Sequence, residues 1–499
     1  MKSTTLESIH PALRGRIVSG MRWTLWLSAI TAPLGYATTV LLARVGPGAV
    51  GTYGLVILYT LVSCCVFYFG GDAVVIKFLP GMDPRKKLSF LVTYFGIICL
   101  TLLPWLGAAL IWPQKLHYIF GKETSPRTQI VLVCLSPIYI LFSIVQAHLK
   151  ADMHFRDAQL LLRIVTVGSF LIYASLYLFA RPFLSTSYSW LLWVVYLSLV
   201  SVVTAIGTQR VLRSHRTGAR IRIFLPRGFW RYAITTEQVS ALAFFAGRLD
   251  FLLVLNYGGL LVFGQYVAVV SLAETLKTIN RSLVDSLFPA LTNLIAVRNY
   301  AGVAELFSVN LRTLLLVNCA VTNAIILAVG PIIGLLGPRY HSLQDVLIIL
   351  IAFSGAALSA MLGGTLLSSF AMMEWQIVGN VLQLAVFLAL FFFLWPQWNL
   401  KGAALATGAS MLVSCLFSLV VSERVTGITL VYVKDYVILL LATLASALFS
   451  LHFLPLRLTT AFATWLVVMA GFVLAADYSV TECKSILHHF LPSRLGERL

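Results

Sequence analysis

Two stretches of the chain, LLARVGPGAVGTYGLV at Leu41–Val56 and VLNYGGLLVFGQYVAV at Val254–Val269, repeat one pattern of glycine, tyrosine and aliphatic residues. An offset of 213 residues aligns identical residues of the two copies: Leu42 with Leu255, Gly46 with Gly259, Gly51 with Gly264, Tyr53 with Tyr266, and Asp72 with Asp285. Glycine permits a tight turn and a close approach of helices because it has no side chain. The doubled pattern predicts an internal repeat with a helical hairpin in each copy.

The composition indicates a membrane protein. The 499 residues are 59% hydrophobic and only 11% charged, and the mean hydropathy is +0.91. A soluble chain of this length needs more charge to cover its surface. The apolar runs are near the roughly 20 residues that a helix needs to cross a bilayer, and they do not alternate as barrel strands would. The expected fold class is an all-α polytopic membrane protein.

The apolar runs predict fourteen spans. They lie at about 17–42, 50–71, 88–111, 128–149, 160–180, 188–209, 231–255, 260–284, 308–333, 345–370, 376–395, 402–421, 434–454 and 458–477. Every connection is short, so we expect no soluble domain, and the first span lacks the features of a cleavable signal. The seven cysteines lie mostly inside spans without metal-ligand spacing, so we expect neither a metal site nor a cofactor.

The distribution of Lys and Arg predicts the orientation. With a cytoplasmic amino terminus, the inner segments hold 23 of these residues and the outer segments hold 8. Cytoplasmic loops carry the excess of positive charge, so both termini are expected in the cytoplasm. The net charge of +18 favours anionic membrane lipids as partners. It does not indicate nucleic acid, because no aromatic and basic binding module accompanies it.

The repeat predicts the domain organisation. Six spans separate the two copies, so both hairpins turn on the outer face. We expect two pseudo-symmetric six-helix lobes, 1–212 and 231–421, joined by a basic cytoplasmic linker at 213–230. Two further helices and a cytoplasmic tail follow at 422–499. Parallel repeats of this kind occur in transporters whose lobes move against each other around a central substrate.

Two sequence stretches resemble a known family. RVGPGAVGTYGLV at Arg44–Val56 and WNLKGAALATGASMLVSCL at Trp398–Leu416 are similar to the corresponding parts of bacterial polysaccharide (O-antigen type) flippases. This family belongs to the multidrug/oligosaccharidyl-lipid/polysaccharide exporter superfamily. The resemblance implies alternating-access movement of an undecaprenyl-pyrophosphate-linked oligosaccharide from the inner to the outer leaflet of the bacterial cytoplasmic membrane. It also implies other polysaccharide assembly proteins as partners.

Five basic residues inside the predicted spans are candidates for binding the pyrophosphate. They are Arg22, Arg163, Arg248, Lys277 and Arg312. Charges inside a bilayer usually face a cavity or a partner, and the planar guanidinium group of arginine forms paired hydrogen bonds to phosphate oxygens.

Each candidate has a simpler alternative. Arg22, Arg163 and Arg312 lie near cytoplasmic span ends, where a long side chain can reach the headgroups. Lys277 shares a helix face with Glu274, which can neutralise it. Arg248 is the strongest candidate. It lies roughly 25 Å along the helix from Arg231 at the cytoplasmic side, too deep for its side chain to reach the headgroups easily.

The chain has no phosphate-cradling motif, so Na⁺ or H⁺ coupling is the expected energy source. The candidate coupling residues are Glu237 and Asp250 in the seventh span, Asn380 and Gln383 in the eleventh, and Thr407 in the twelfth. In the related lipid II flippases these three spans hold a cation site. Here the eleventh span offers amides and no acid, and packing amides are an equal alternative.

The first span holds Pro33 and Gly35 near mid-membrane. Proline removes a backbone hydrogen bond and kinks a helix, so a hinge is expected there. A static bend is the alternative.

Three other functions are weighed against the polysaccharide flippase. A multidrug or cation antiporter of the same superfamily should hold an acid in its amino-terminal lobe, and the first span has none. A lipid II flippase shares the architecture. An enzyme of polysaccharide assembly would need a substantial outer loop or an acid pair at the first outer turn, and neither is present. The chain is therefore not expected to be an enzyme.

Overall fold

The computed structural model describes residues 31, 33–79, 82–112, 126–152, 154–180, 184, 189–214, 222–296, 298–370, 372–427, 433–453, 458–476 and 478. This part of the chain is almost entirely helical and contains no strand. Within it, nine segments are long and apolar enough to cross a membrane. The all-α polytopic class is confirmed, whereas the predicted number of fourteen spans concerns the whole chain.

The helices follow each other along the chain with short connections. They are α1 (33–45), α2 (Pro47–Phe67), α3 (Gly71–Phe78), α4 (Pro84–Ile111), α5 (Pro126–Ala151), α6 (Phe155–Phe179), α7 (Ser189–Ser214), α8 (Phe229–Ala296), α9 (Tyr300–Leu327), α10 (Val329–Leu336), α11 (Gln344–Ala360), α12 (Leu362–Ser369), α13 (Met373–Trp398), α14 (Leu400–Thr426), α15 (Val433–Phe453) and α16 (Leu458–Ala475). A short 3₁₀ helix, Pro338–Leu343, precedes α11.

The seventh and eighth predicted spans meet at a single residue. The backbone of α8 is helical on both sides of Gly259, which adopts φ 75° and ψ 176°. The chain reverses there, because the rings of Phe251 and Phe263 lie on either side of Gly259 with centroids 5.6 Å apart. Only glycine adopts this backbone conformation readily. The hairpin predicted from the second copy of the repeat is therefore present, with a shorter turn than expected.

The second predicted span, 50–71, is divided, unlike its counterpart in the other copy. Phe69, Gly70 and Gly71 have positive φ angles of 37°, 81° and 58° between α2 and α3. At the equivalent positions the second copy has Leu283 and Val284 in place of the two glycines, and α8 continues as a helix. The repeat therefore holds around the hairpin and diverges at the inner end, because only the first copy has the glycines that allow this break.

The repeated glycines meet each other in the folded chain. A Cβ atom on Gly51 would come within 2.5 Å of the Leu260 carbonyl oxygen, and one on Gly264 would overlap the Pro47 carbonyl oxygen. These two contacts are related by the 213-residue offset, so α2 and the second half of α8 cross through equivalent positions. The close crossing explains why both copies require glycine there.

The chain divides into two compact units, Met1–Ser282 and Leu283–Leu499. The first unit contains α1–α7 and most of α8, including the segment 231–282 that the sequence analysis assigned to the second lobe. In the second unit α9 packs against α11, α15 and α16, and α14 packs against α11 and α13. The predicted lobe boundaries at 212 and 231 stay a prediction.

Candidate functional site

A cavity of about 280 Å³ lies within the first unit. It is lined by side chains from α1, α2, α6 and both halves of α8. Its lining includes Tyr36, Tyr53, Arg163, Arg248 and Glu274. The hairpin at Gly259 is essential to this arrangement, because it brings the two halves of α8 to the same cavity.

Arg248 and Lys277 both contact the carboxylate of Glu274. The Arg248 Nη2 atom lies 2.9 Å from Glu274 Oε2, and Lys277 Nζ lies 2.9 Å from Glu274 Oε1. The Arg248 guanidinium carbon is also 5.2 Å from the centroid of the Phe251 ring. The contact between Lys277 and Glu274 is the neutralising pair that the sequence allowed, and the contact with Arg248 is new. One carboxylate thus faces two cations.

Asp250 lies beside this group but is held by its own donors. Its carboxylate accepts hydrogen bonds from the Tyr266 hydroxyl at 2.8 Å and from the Phe251 backbone N–H at 2.9 Å. The residue is only 4% exposed and is not part of the cavity lining. Tyr266 is the repeat equivalent of Tyr53, so one copy of this tyrosine binds Asp250 while the other lines the cavity.

Aromatic residues also line the cavity. The Tyr53 ring packs against Tyr173 at 5.9 Å and against Trp193 at 6.3 Å between centroids. The Tyr36 hydroxyl is buried without a hydrogen-bond partner in the described part of the chain. Sequence analysis missed both tyrosines as cavity residues, although Tyr53 belongs to the repeated motif.

Arg163 lines the cavity from α6, with Thr166 one turn away. It comes from the amino-terminal predicted lobe, whereas Arg248 comes from the segment assigned to the other lobe. The structure therefore places two of the five predicted phosphate-binding residues in one cavity, with a third, Lys277, bonded to the Glu274 of its lining. Their roles in binding stay predictions.

Arg312 lies in the second unit and has different contacts. Its Nε atom is 3.7 Å from Asp435 Oδ2, and its Nη2 donates a hydrogen bond of 3.1 Å to the Ala476 carbonyl oxygen. The guanidinium also lies 4.5 Å from the Tyr478 ring centroid. These contacts join α9 to the carboxy-terminal helices. Arg22 lies outside the described residues.

Glu237, a predicted coupling residue, contacts the break between α2 and α3. Its Oε2 atom accepts a hydrogen bond of 2.7 Å from the Gly70 backbone N–H. The Tyr94 hydroxyl donates to the carbonyl oxygens of Tyr68 and Phe69 at 2.5 and 3.1 Å. Glu237 therefore holds the strained turn between α2 and α3. A change in the charge of Glu237 would act on that turn.

The remaining predicted coupling residues lie in the second unit. Asn380 and Gln383 are half-buried on α13, and Thr407 is half-buried on α14. These two helices lie close together, as a hydrogen bond of 3.0 Å from the Ser414 hydroxyl to the Gly379 carbonyl oxygen shows. A cation role for these three residues stays a prediction.

The predicted hinge residues lie at the start of the described part of α1. Gly35 lines the cavity with open space around its Cα, and Pro33 is exposed. Residues 33–45 are continuously helical. A hinge motion stays a prediction.

Comparison with solved structures shows the fold. The lipid II flippase MurJ in an inward closed conformation is similar at a TM-score of 0.67 and 13% identity, over 90% of this chain and 97% of that one. An inward-facing multidrug resistance MATE family transporter of the MOP superfamily is similar at a TM-score of 0.66 and 12% identity, over 82% of this chain and 98% of that one. A MOP superfamily transporter from Pyrococcus furiosus is similar at a TM-score of 0.60 and 12% identity, over 83% of this chain and 95% of that one. That transporter is described as having a binding pocket of reversed polarity.

No protein-family model matches the sequence, and no curated protein sequence matches it. At identities of 12–13% the structural likeness shows the fold alone. The chain has the two-lobed fold of MOP superfamily transporters and is a multi-pass membrane protein. These three solved structures are of transporters.

Proposed function

We propose that this chain is a flippase of the bacterial cytoplasmic membrane. Its cargo is an oligosaccharide joined to undecaprenol through a pyrophosphate, which it moves from the inner to the outer leaflet. Two lobes carry out this movement by alternating access, coupled to an ion gradient. The fold shared with the lipid II flippase and with MATE transporters supports a transport function, and the residues of the cavity support the cargo.

The observation that carries the proposal is the charge of the cavity lining. Arg163 and Arg248 face it with one carboxylate, Glu274, which is already bonded to Arg248 and Lys277. The lining is therefore net positive. A guanidinium group in a poorly hydrated cavity binds a pyrophosphate through strong charge-assisted hydrogen bonds. An anionic headgroup fits this cavity better than an organic cation.

The aromatic residues of the cavity suit the sugar part of the cargo. Tyr36 and Tyr53 line the same cavity as the two arginines. A tyrosine offers an apolar face and a polar tip, and sugars likewise combine apolar C–H faces with hydroxyls. A cavity lined by both cationic and aromatic residues matches a pyrophosphate joined to a glycan.

Glu274 is the observation that favours a second candidate, a multidrug or cation antiporter. A carboxylate in the cavity is what an organic cation would bind. In this chain, however, two basic side chains engage Glu274, so an incoming cation would have to displace them. A lipid II flippase is a closer alternative, because its cargo also carries a pyrophosphate, and the cavity charge does not distinguish the two.

The test measures lipid-linked oligosaccharides by mass spectrometry in a strain that lacks this protein. We expect an undecaprenyl-pyrophosphate glycan to accumulate on the cytoplasmic side of the membrane. The wild-type chain should clear it and Arg248→Ala should not. The matched control is Arg339→Ala, which removes an exposed arginine outside the cavity and should clear the glycan as wild type does.

Other results of this experiment would favour one of the alternative functions. Accumulation of the peptidoglycan precursor alone would favour the lipid II flippase. Absence of any accumulated glycan, together with new sensitivity to cationic dyes, would contradict the proposal and favour the antiporter. Equal amounts of each variant in the membrane are required, so that loss of clearance reflects transport rather than folding.

A further inference from the structure

The second unit contains four buried oxygens that lie away from the cavity described above. They are Thr322 Oγ1 and Asn323 Oδ1 on α9, and Thr443 Oγ1 and Ser446 Oγ on α15. The exposed fractions of these residues are 1%, 0%, 3% and 1%. None of the four atoms has a hydrogen-bond partner in the described part of the chain. We refer to them as the buried oxygen cluster.

The register between α9 and α15 places these residues side by side. Arg312, in the middle of α9, contacts Asp435 near the start of α15, and the Ser450 hydroxyl donates a hydrogen bond of 3.0 Å to the Ile326 carbonyl oxygen near the end of both helices. The residue numbers differ by 123 in the first contact and by 124 in the second, so the helices run parallel with a nearly constant offset. The same offset places Ser446 at the level of Thr322.

Helical periodicity places the cluster on the two facing surfaces. On α15, Ser446 lies three residues after Thr443 and four residues before Ser450, so all three share one face. That face includes Asp435, eight residues before Thr443. On α9, Thr322 and Asn323 lie within one turn of Ile326. The contacts at both ends of this interface therefore orient the cluster inward.

A third helix closes the cluster. A Cβ atom on Gly355 of α11 would overlap Thr322 Oγ1, so the backbone of α11 lies directly against this hydroxyl. The amide nitrogen of Asn323 donates to the Cys319 carbonyl oxygen at 2.7 Å and to Cys319 Sγ at 3.3 Å. These bonds fix the amide, and its oxygen is left as the acceptor without a partner.

Several buried hydroxyls elsewhere in the described chain are bonded to their own helix. Thr204 donates to the Val200 carbonyl oxygen at 2.7 Å, and Ser422 donates to the Leu419 carbonyl oxygen at 2.7 Å. The hydroxyls of the buried oxygen cluster lack this bond. Leaving a polar group unsatisfied in a membrane interior is costly, so several such oxygens on the facing surfaces of two helices favour a shared ligand.

The chemistry of the cluster defines that ligand. Hydroxyl and amide oxygens are hard neutral ligands, and such oxygens can replace the hydration shell of an ion. The carboxylate of the same interface, Asp435, faces Arg312 more than one turn away, so the four oxygens carry no net charge to offset a divalent ion. We infer that the buried oxygen cluster binds a monovalent cation of the size of Na⁺ between α9, α11 and α15.

This cation site differs from the expected coupling residues. The sequence pointed to Glu237, Asp250, Asn380, Gln383 and Thr407, none of which lies on these three helices. A cation bound here would stabilise the packing of α15 on α9. Because its binding can be measured without any lipid-linked cargo, the inference stands or fails separately from the proposed flippase function.

The experiment measures the thermal unfolding midpoint of the purified full chain in detergent. NaCl, KCl and choline chloride are compared at equal ionic strength. A ligand that binds the folded chain alone raises the midpoint with its concentration, so we expect a saturable rise with Na⁺ and not with choline. Ser446→Ala should weaken the apparent Na⁺ affinity at least about tenfold, and binding of radioactive sodium should fall in parallel.

Two variants separate a lost ligand from a disturbed fold. Thr322→Ser keeps the hydroxyl oxygen and should keep the Na⁺ response. Thr322→Val removes that oxygen and should weaken the Na⁺ response. Thr313→Val is the matched control on the same helix, because its hydroxyl is bonded to the Val309 carbonyl oxygen, and it should respond as wild type does. An equal rise in all three salts, or a Na⁺ response unchanged in Ser446→Ala and Thr322→Val, would overturn the inference.

Discussion

The contact between Arg248 and Glu274 shows how single residues set the charge of the cavity. Only 20% of the Arg248 side chain and 30% of the Glu274 side chain are exposed, so water screens their interaction weakly. Removal of one partner from such a pair leaves the other charge poorly solvated, which is more costly than removal of both. Glu274 is therefore expected to stabilise two cations rather than to bind cargo.

We predict strong coupling between these two residues. Glu274→Ala should lower the free energy of unfolding by about 3 kcal/mol, because it leaves Arg248 and Lys277 facing each other without a counter-charge. Glu274→Leu combined with Arg248→Leu should cost less than the sum of the single changes. The measurement is a double-mutant cycle on the unfolding free energy in detergent.

An exposed ion pair supplies the control for this cycle. Lys401 contacts Asp345, and their side chains are 49% and 38% exposed. Asp345→Ala should change the unfolding free energy by less than about 1 kcal/mol, as is usual for surface pairs. Additive effects of the Arg248 and Glu274 substitutions would show that the two charges do not stabilise each other.

At the scale of elements, the crossing of α2 and α8 depends on the glycines of the repeat. Gly51 and Gly264 each face a backbone carbonyl of the other helix, Leu260 and Pro47 respectively. A backbone contact of this kind cannot be relaxed by a change of side-chain rotamer. The same feature therefore explains the sequence repeat and the close approach of the two helices.

We expect Gly264→Ala to destabilise the chain, because the new methyl group would overlap the Pro47 carbonyl oxygen. Overpacking of this kind costs about 1–3 kcal/mol, which a lower thermal unfolding midpoint would reveal. Gly96→Ala is the control in the same unit, since a Cβ atom there meets nothing within 4 Å. An unchanged midpoint in Gly264→Ala would mean that the helices separate at this crossing without cost.

At the scale of the whole molecule, the orientation in the membrane follows from the distribution of basic residues. The segment 222–228 precedes α8 and contains the exposed Arg227, and the 3₁₀ helix Pro338–Leu343 contains the exposed His341. The excess of Lys and Arg predicts that the first segment lies in the cytoplasm and the second outside. Both termini are then expected in the cytoplasm.

Labelling of introduced cysteines tests this orientation. In a variant without the seven native cysteines, a membrane-impermeant maleimide should modify His341→Cys in intact cells. Arg227→Cys should react only after the membrane is permeabilised. The opposite pattern would reverse the orientation, and with it the direction of transport that we propose.

The sequence by itself determined the all-α membrane class and the hairpin in the second copy of the repeat. These properties follow from local quantities, namely the length of apolar runs and the conformational freedom of glycine at positions such as Gly259. The sequence also identified Arg163 and Arg248 as intramembrane charges. It could not show that they face one cavity with Tyr36 and Tyr53, because that depends on the rotation of four separate helices.

Only the tertiary structure decided which side chains meet. Glu274 lies 26 residues after Arg248, and Ser450 lies 124 residues after Ile326, so neither contact is visible in a local pattern. The structure likewise placed Arg312 beside Asp435, a contact that no helical spacing indicates. Partners of this kind are set by the register and rotation of packed helices, and hydropathy leaves both undetermined, because any apolar face can pack against any other.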